Sequence, residues 1–153
     1  MAEKAEVVFV DGVRTPFGRA GEKGMYWNTR ADDLVVKAMI GLLERNPLVP
    51  KERIDDVAIA ATTQQGDQGL TLGRTAALLA GLPKSVPGFA IDRMCAGAMT
   101  SVTTLGSGIG FGAYDLAIAG GVEHMGRHPM GFGADPNPRF LTERLVGDRR
   151  AHV

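Results

Sequence analysis

The chain is poor in the features that mark several large protein classes. It has one cysteine, Cys95, in 153 residues. A single thiol cannot close an internal disulfide, so a secreted, disulfide-stapled fold is excluded. Basic and acidic side chains balance at 17 each. A protein that coats nucleic acid wants a basic field, and this one has none. No apolar run reaches the ~18 residues that would cross a bilayer, so no membrane span is expected. The opening residues Met1–Glu6 are charged and lack an apolar core, so no signal peptide is expected and the cytoplasm is the default setting. Internal repeats and low-complexity tracts are missing too.

What the chain does have is apolar content and glycine. Apolar residues make up 44% and charged residues 22%, enough for a buried core and too ordered a balance for a disordered chain. Glycine supplies 21 of the 153 residues, against a usual share of ~7%. Such glycines point to tight turns and close backbone approach.

Periodicity then divides the chain. Val7–Val10 is a β-branched run closed by Asp11-Gly12 and predicts a buried strand. Arg14-Thr15-Pro16-Phe17-Gly18 reads as a loop. Thr29 with Asp32 forms a capping-box pattern. Behind it Leu34, Ala38 and Leu42 form one stripe flanked by Val35, Met39 and Leu43, predicting an amphipathic helix over 31–45 that stops before Pro47. Residues 56–62 predict a second strand, 64–69 a polar loop, and 72–80 a second helix ended by Gly81 and Pro83. Phe89–Ile91 is a third strand. A helix follows from Ala96 to about Gly108, weakened by its glycines. Asp115–Ala119 is a fourth strand, closed by Gly120-Gly121. The order βαβαβαβ predicts an α/β fold with a mainly parallel sheet. The alternation stops near residue 122, which divides a half-domain over 1–122 from a polar, arginine-containing tail over 123–153, partly disordered.

Cys95 is the first candidate for chemistry. It sits where a strand hands over to a helix, and a helix N-terminus favours a thiolate there. Ala96, Gly97 and Ala98 behind it are small and leave room for a substrate. The opposing reading is a buried cysteine acting as a small hydrophobe. His124 and His128 are four apart, the spacing of ligands on one helical face. Gly126 and Pro129 break such a helix and no third ligand is near, so a loop or packing role is expected and no metal. Neither they nor His152 stand at a spacing that marks a base for Cys95. The stretch Gly108-Ile109-Gly110-Phe111-Gly112-Ala113 fits a permissive dinucleotide fingerprint. It closes a helix rather than opening one, so a helix end and turn is the reading. Asp32-Asp33 and Asp55-Asp56 read as structural or solvated pairs.

Three motifs together carry a resemblance. Arg14-Thr15-Pro16-Phe17-Gly18 resembles the R-T-P-x-G stretch near the start of thiolases. Asp92-Arg93-Met94-Cys95-Ala96-Gly97-Ala98-Met99 resembles the segment around their acyl-accepting cysteine, and Ala119-Gly120-Gly121-Val122-Glu123-His124-Met125-Gly126 their A-G-G-x-E-x-M segment. The His-Met-Gly variant followed by Pro129-Met130 is similar to thiolases of the bacterial fatty-acid oxidation complex. The resemblance runs from about Val7 to about Phe140. It implies a 3-ketoacyl-CoA thiolase, an acyltransferase in fatty-acid β-oxidation, with Cys95 forming the acyl-thioester. It implies acyl-CoA and CoA as substrates, no cofactor, and a homo-oligomer in the complete form, with Phe89–Ile91 near the subunit contact. Membership of a fatty-acid oxidation complex follows from the same likeness.

Thiolases are more than twice this long and have two similar βα domains. Their Gly-His-Pro histidine, second cysteine and active-site asparagine lie in the second half. The only His-Pro here is His128-Pro129, and there is no second cysteine. The resemblance therefore implies an N-terminal thiolase unit, incomplete relative to the two-domain layered fold. The alternative is a truncated, inactive fragment, or a half-domain that needs a second chain. A ketoacyl synthase is a third reading, which the Arg-Thr-Pro and Ala-Gly-Gly-Val-Glu stretches disfavour. Isolated, the chain is expected to expose the apolar surface meant for the second domain and to dissolve poorly.

Overall fold

The computed structural model describes residues 6–131 and 133–141. Three helices and three strands alternate: α1 (Ala31–Arg45), β1 (Asp56–Ala60), α2 (Leu72–Leu79), β2 (Phe89–Ile91), α3 (Gly97–Phe111) and β3 (Ala117–Gly121). The strands form one parallel sheet in the order β2-β1-β3. Helices between parallel strands are what such a sheet requires. No helix among the described residues is long and apolar enough to cross a membrane.

β1 is the central strand, and all five of its residues are buried. Side chains alternate along a strand, so Val57 and Ile59 share one face and Ala58 and Ala60 the other. Val57 and Ile59 pack with Val35 and Met39 of α1 and with Leu72, Ala76 and Ala77 of α2. Full burial of a Val or Leu contributes about 1.5–3 kcal/mol, so this cluster is the main core. On the other face, Ala60 lies under the start of α3. The small alanine there lets the helix come close. Gly73 does the same for α2: a Cβ on it would stand 2.2 Å from the Phe89 carbonyl oxygen and 2.5 Å from that of Val57.

Several expectations are corrected. Val7–Val10 forms no strand, and all four side chains are exposed. A β-branched run becomes a strand only when a neighbouring edge pairs its N–H and C=O groups. Here no described strand pairs with it, and the sheet has three strands rather than four. The capping box at Thr29 does not form. Arg30 is the N-cap, and the Ala31 N–H donates across the chain to Asp67 Oδ2 at 3.2 Å. β1 ends at Ala60, two residues before the expected limit.

β3 begins two residues later than expected. The Asp115 and Leu116 N–H groups donate to Asp55 Oδ2 at 2.7 and 3.0 Å, so a carboxylate replaces the first rungs of the ladder. The strand instead runs through Gly120 and Gly121. α3 also runs further than expected, to Phe111, and Gly112 closes it at φ 84°. The glycine-rich stretch is thus a helix end. Gly108 lies under the Tyr114 ring, 2.4 Å from where its Cβ would stand. Met99, Val102 and Phe111 of α3 are exposed. Of the expected tail, Pro138–Leu141 form a 3₁₀ turn, and residues 142–153 lie outside the described residues.

Candidate active site

Cys95 is exposed and lies in a 3₁₀ turn, Met94–Ala96, between β2 and α3. The hydrophobic-core reading of this thiol is therefore excluded. The turn has a local cause. Asp92 Oδ1 accepts the Met94 N–H at 3.2 Å, and the Ala96 N–H donates to the Arg93 carbonyl at 3.0 Å. Met94 is held at φ 48°, a left-handed conformation that non-glycine residues seldom adopt. It swings the chain from strand to helix and leaves Cys95 outside. α3 then starts at Gly97 with no side chain capping its first turn, so its N–H groups point toward the thiol's end of the helix.

The first turn of α3 rests on the ends of β1 and β3. A Cβ on Gly97 would meet the Ala60 Cβ at 2.8 Å, and one on Gly121 would meet the Ala98 Cβ at 3.0 Å. The Val122 N–H donates to the Ala60 carbonyl at 2.9 Å. Beyond these ends a polar network takes over. Glu123 Oε2 accepts the Thr62 N–H at 2.7 Å, and Glu123 Oε1 accepts Gln68 Nε2 at 3.0 Å. Gln68 is fully buried. It also donates to the Thr63 carbonyl at 2.8 Å and accepts the His124 N–H at 2.7 Å. In sequence Gln68 stands in the polar stretch 64–69, with no local pattern that marks a role. Glu123 stood inside a recognised motif, which was the only available signal.

Both internal histidines are buried. His124 Nδ1 accepts the Arg127 N–H at 3.2 Å, and its Nε2 lies 2.7 Å from the Tyr26 carbonyl. With Nδ1 accepting, Nε2 is the nitrogen left to donate to the Tyr26 carbonyl. His128 Nε2 bonds Asp67 Oδ1, while Arg127 Nε reaches Asp67 Oδ2 at 2.8 Å. Burial pushes the Asp67 carboxyl up. Hydrogen bonds from His128 and Ala31 and the Arg127 charge outweigh it, leaving the group below its ordinary value. Gly66, at φ 54°, makes room: a Cβ there would press the His128 ring at 2.8 Å. His124 and His128 thus fasten the segment after β3 to the α1 end of the fold. A cleft of about 560 Å³ opens beside them, lined by Trp27, Arg30, Asp67 and Arg127 among others. Its guanidiniums are already engaged, Arg30 by Asp32 and Arg127 by Asp67. Among the described residues no group of three His, Cys, Asp or Glu side chains is arranged to hold a metal ion.

Asp55 and Asp56 are structural. Asp55 receives the two amides before β3, and Asp56 accepts the Val57 N–H and the Tyr114 hydroxyl.

Residues 7–147 match the family described as thiolase, N-terminal domain. A 3-ketoacyl-CoA thiolase from Aliivibrio salmonicida is 44% identical over 129 residues, which cover 84% of this chain and 33% of that protein. One from Pseudoalteromonas translucida is 44% identical over 88% of this chain and 34% of its own length. A beta-ketoadipyl-CoA thiolase from Pseudomonas aeruginosa is 44% identical over 84% of this chain and 31% of its own length. The chain spans about a third of the length of the curated relatives it matches.

Proposed function

The chain belongs to the thiolase family through its N-terminal domain, and on that premise we propose that it carries the acyl-accepting half of a 3-ketoacyl-CoA thiolase, with Cys95 as nucleophile. The observation that carries this reading is the exposed thiol on a strained turn directly ahead of α3. A rigid strand-to-helix turn is a common way to present a nucleophile.

In the degradative direction the Cys95 thiolate adds to the 3-keto carbon. The C2–C3 bond then breaks, its electron pair stays on C2, and C2 takes up a proton to leave as acetyl-CoA. The shortened acyl group remains on sulfur as a thioester until a second CoA thiolate displaces Cys95. CoA enters as substrate, and the reading calls for no cofactor. Both ring nitrogens of His124 are engaged, and His128 is held by Asp67. The proton donor, and the base that activates CoA, are assigned to the part of the protein that the relatives have beyond this match. Fatty-acid β-oxidation in the cytoplasm, and assembly as a homo-oligomer within an oxidation complex, belong to the same proposal. The edge of β2 that no described strand pairs, and the exposed Met99 and Val102 of α3, are surfaces such assembly would cover.

The test is intact mass after incubation with acetoacetyl-CoA. One acetyl group on the native chain and none on Cys95→Ser supports the reading. An equal adduct on both chains overturns it. No adduct on either assigns the chain to the other reading, a half-domain whose Cys95 is inert without a second chain.

A further inference from the structure

Gln68 and Glu123 lie just past the ends of β1 and β3, bonded to Thr62, Thr63 and His124. The start of α3 is seated on Ala60 and Gly121, the last residues of β1 and β3. The separation of those two ends decides how high the first turn of α3 rides, and so where Cys95 is presented. The ladder pairs Ala60 with Gly121, and the Val122 N–H to the Ala60 carbonyl continues it past the strand end. Past it Glu123 bridges the two chains, taking the Thr62 N–H on one oxygen and Gln68 Nε2 on the other. Gln68 in turn holds Thr63, from the segment after β1, and His124, from the segment after β3. Every polar group of the Gln68 amide tip is engaged across this junction, and the side chain is fully buried.

We propose that Gln68 and Glu123 are positioning residues for Cys95, a clamp that sets the strand ends on which the nucleophile's helix is seated. The inference rests on the reading of Cys95 given above. The opposite end of the same two strands offers an internal comparison. There Asp55 ties the start of β3 through the Asp115 and Leu116 amides. Loss of that tie loosens the sheet but leaves the seat of α3 alone.

The chain has a single thiol, so its alkylation by iodoacetamide is read from intact mass without ambiguity. Rates are measured from about pH 6 to about pH 9, across the ordinary thiol range, for the folded chain and for the same chain in urea. The folded wild type is expected to differ from the unfolded chain. Glu123→Ala moves the folded profile toward the unfolded one by about two- to fivefold in rate, the size of a helix-end effect. Glu123→Gln keeps one acceptor oxygen and falls between. Asp55→Ala lowers the urea midpoint and leaves the profile in place. Circular dichroism checks that each variant is folded, and Glu123→Gln serves if Glu123→Ala is not.

Two results overturn the clamp while leaving Cys95 as nucleophile. One is a Glu123 variant that follows the wild type when the wild type differs from the unfolded chain. The other is an equal shift in Asp55→Ala. A folded wild type that follows the unfolded chain removes the reading of Cys95, and the clamp falls with it.

Discussion

Gly97 lies so close over Ala60 that a Cβ at position 97 would stand 2.8 Å from the Ala60 Cβ. Contact of this kind, with no room for a methyl group, is how α3 gets near enough to the sheet to carry Cys95 on a firm base. Gly97→Ala is expected to destabilise by about 1–3 kcal/mol, as overpacking does. Gly73→Ala is expected to cost about 3 kcal/mol or more, because its neighbours are backbone oxygens that cannot rotate away. Gly41, inside α1, has nothing within 4 Å. Gly41→Ala should stabilise by about 0.5–1 kcal/mol. Urea midpoints of the three variants check the ranking, and a destabilised Gly41→Ala chain would contradict it.

Gly108 poses the same question with a movable neighbour. Its Cβ position is filled by the Tyr114 ring, whose hydroxyl donates to Asp56 Oδ2 at 3.3 Å. Gly108→Ala is expected to destabilise by about 1–2 kcal/mol through overpacking. In a Tyr114→Ser background the sign should reverse, since helix propensity then acts alone. The same sign in both backgrounds would show that Tyr114 is not the reason for the glycine.

Acid sensitivity follows from carboxylates held below their ordinary value, Asp55 and Asp67 as well as Asp11. Asp55 is lowered from its ordinary value by the Asp115 and Leu116 amides. Asp67 is raised by burial but lowered overall by His128, Ala31 and Arg127. A carboxyl lowered in the folded state binds its proton less readily there than in the unfolded chain. Its stabilising contribution is present above the unfolded value and is lost as pH falls through the folded one. The urea midpoint should therefore drop between about pH 5 and about pH 3. Asp55→Asn and Asp67→Asn should each be less stable at the upper pH and show a shallower drop. Parallel curves for all three chains would assign the acid loss to other groups.

Cys95→Ser separates chemistry from stability. The thiol is exposed, so the change should alter stability by no more than about 0.5 kcal/mol. It should also remove the acetyl adduct that acetoacetyl-CoA leaves on the native chain. A large loss of stability would place the thiol in a packing role.

The elements set by local pattern were legible. The stripe through Leu34, Ala38 and Leu42 predicted a helix over 31–45, and α1 spans Ala31–Arg45. Phe89–Ile91 is β2 as expected. α2 ends at Leu79, one residue short of the expected limit at 80 and two before Gly81. Val7–Val10 had an equally clear signal and failed, because strand formation needs a partner edge and no described strand pairs with it. β3 slipped by two residues because Asp55, some 60 positions away, takes the amides that would have opened it.

The sequence by itself determined the order of helices and parallel strands, and the placement of one thiol at a strand-to-helix junction. Both follow from residues within a turn or two of each other, where periodicity and turn chemistry act. Only the tertiary structure decided what lies beneath that thiol. Glu123 meets Thr62 across 61 positions and Gln68 across 55, and His128 meets Asp67 across 61. Such pairs exist because the register of β1 against β3 brings two loops to the same end of the sheet. Nothing local to Gln68 or Glu123 distinguishes a buried clamp from a solvated polar loop.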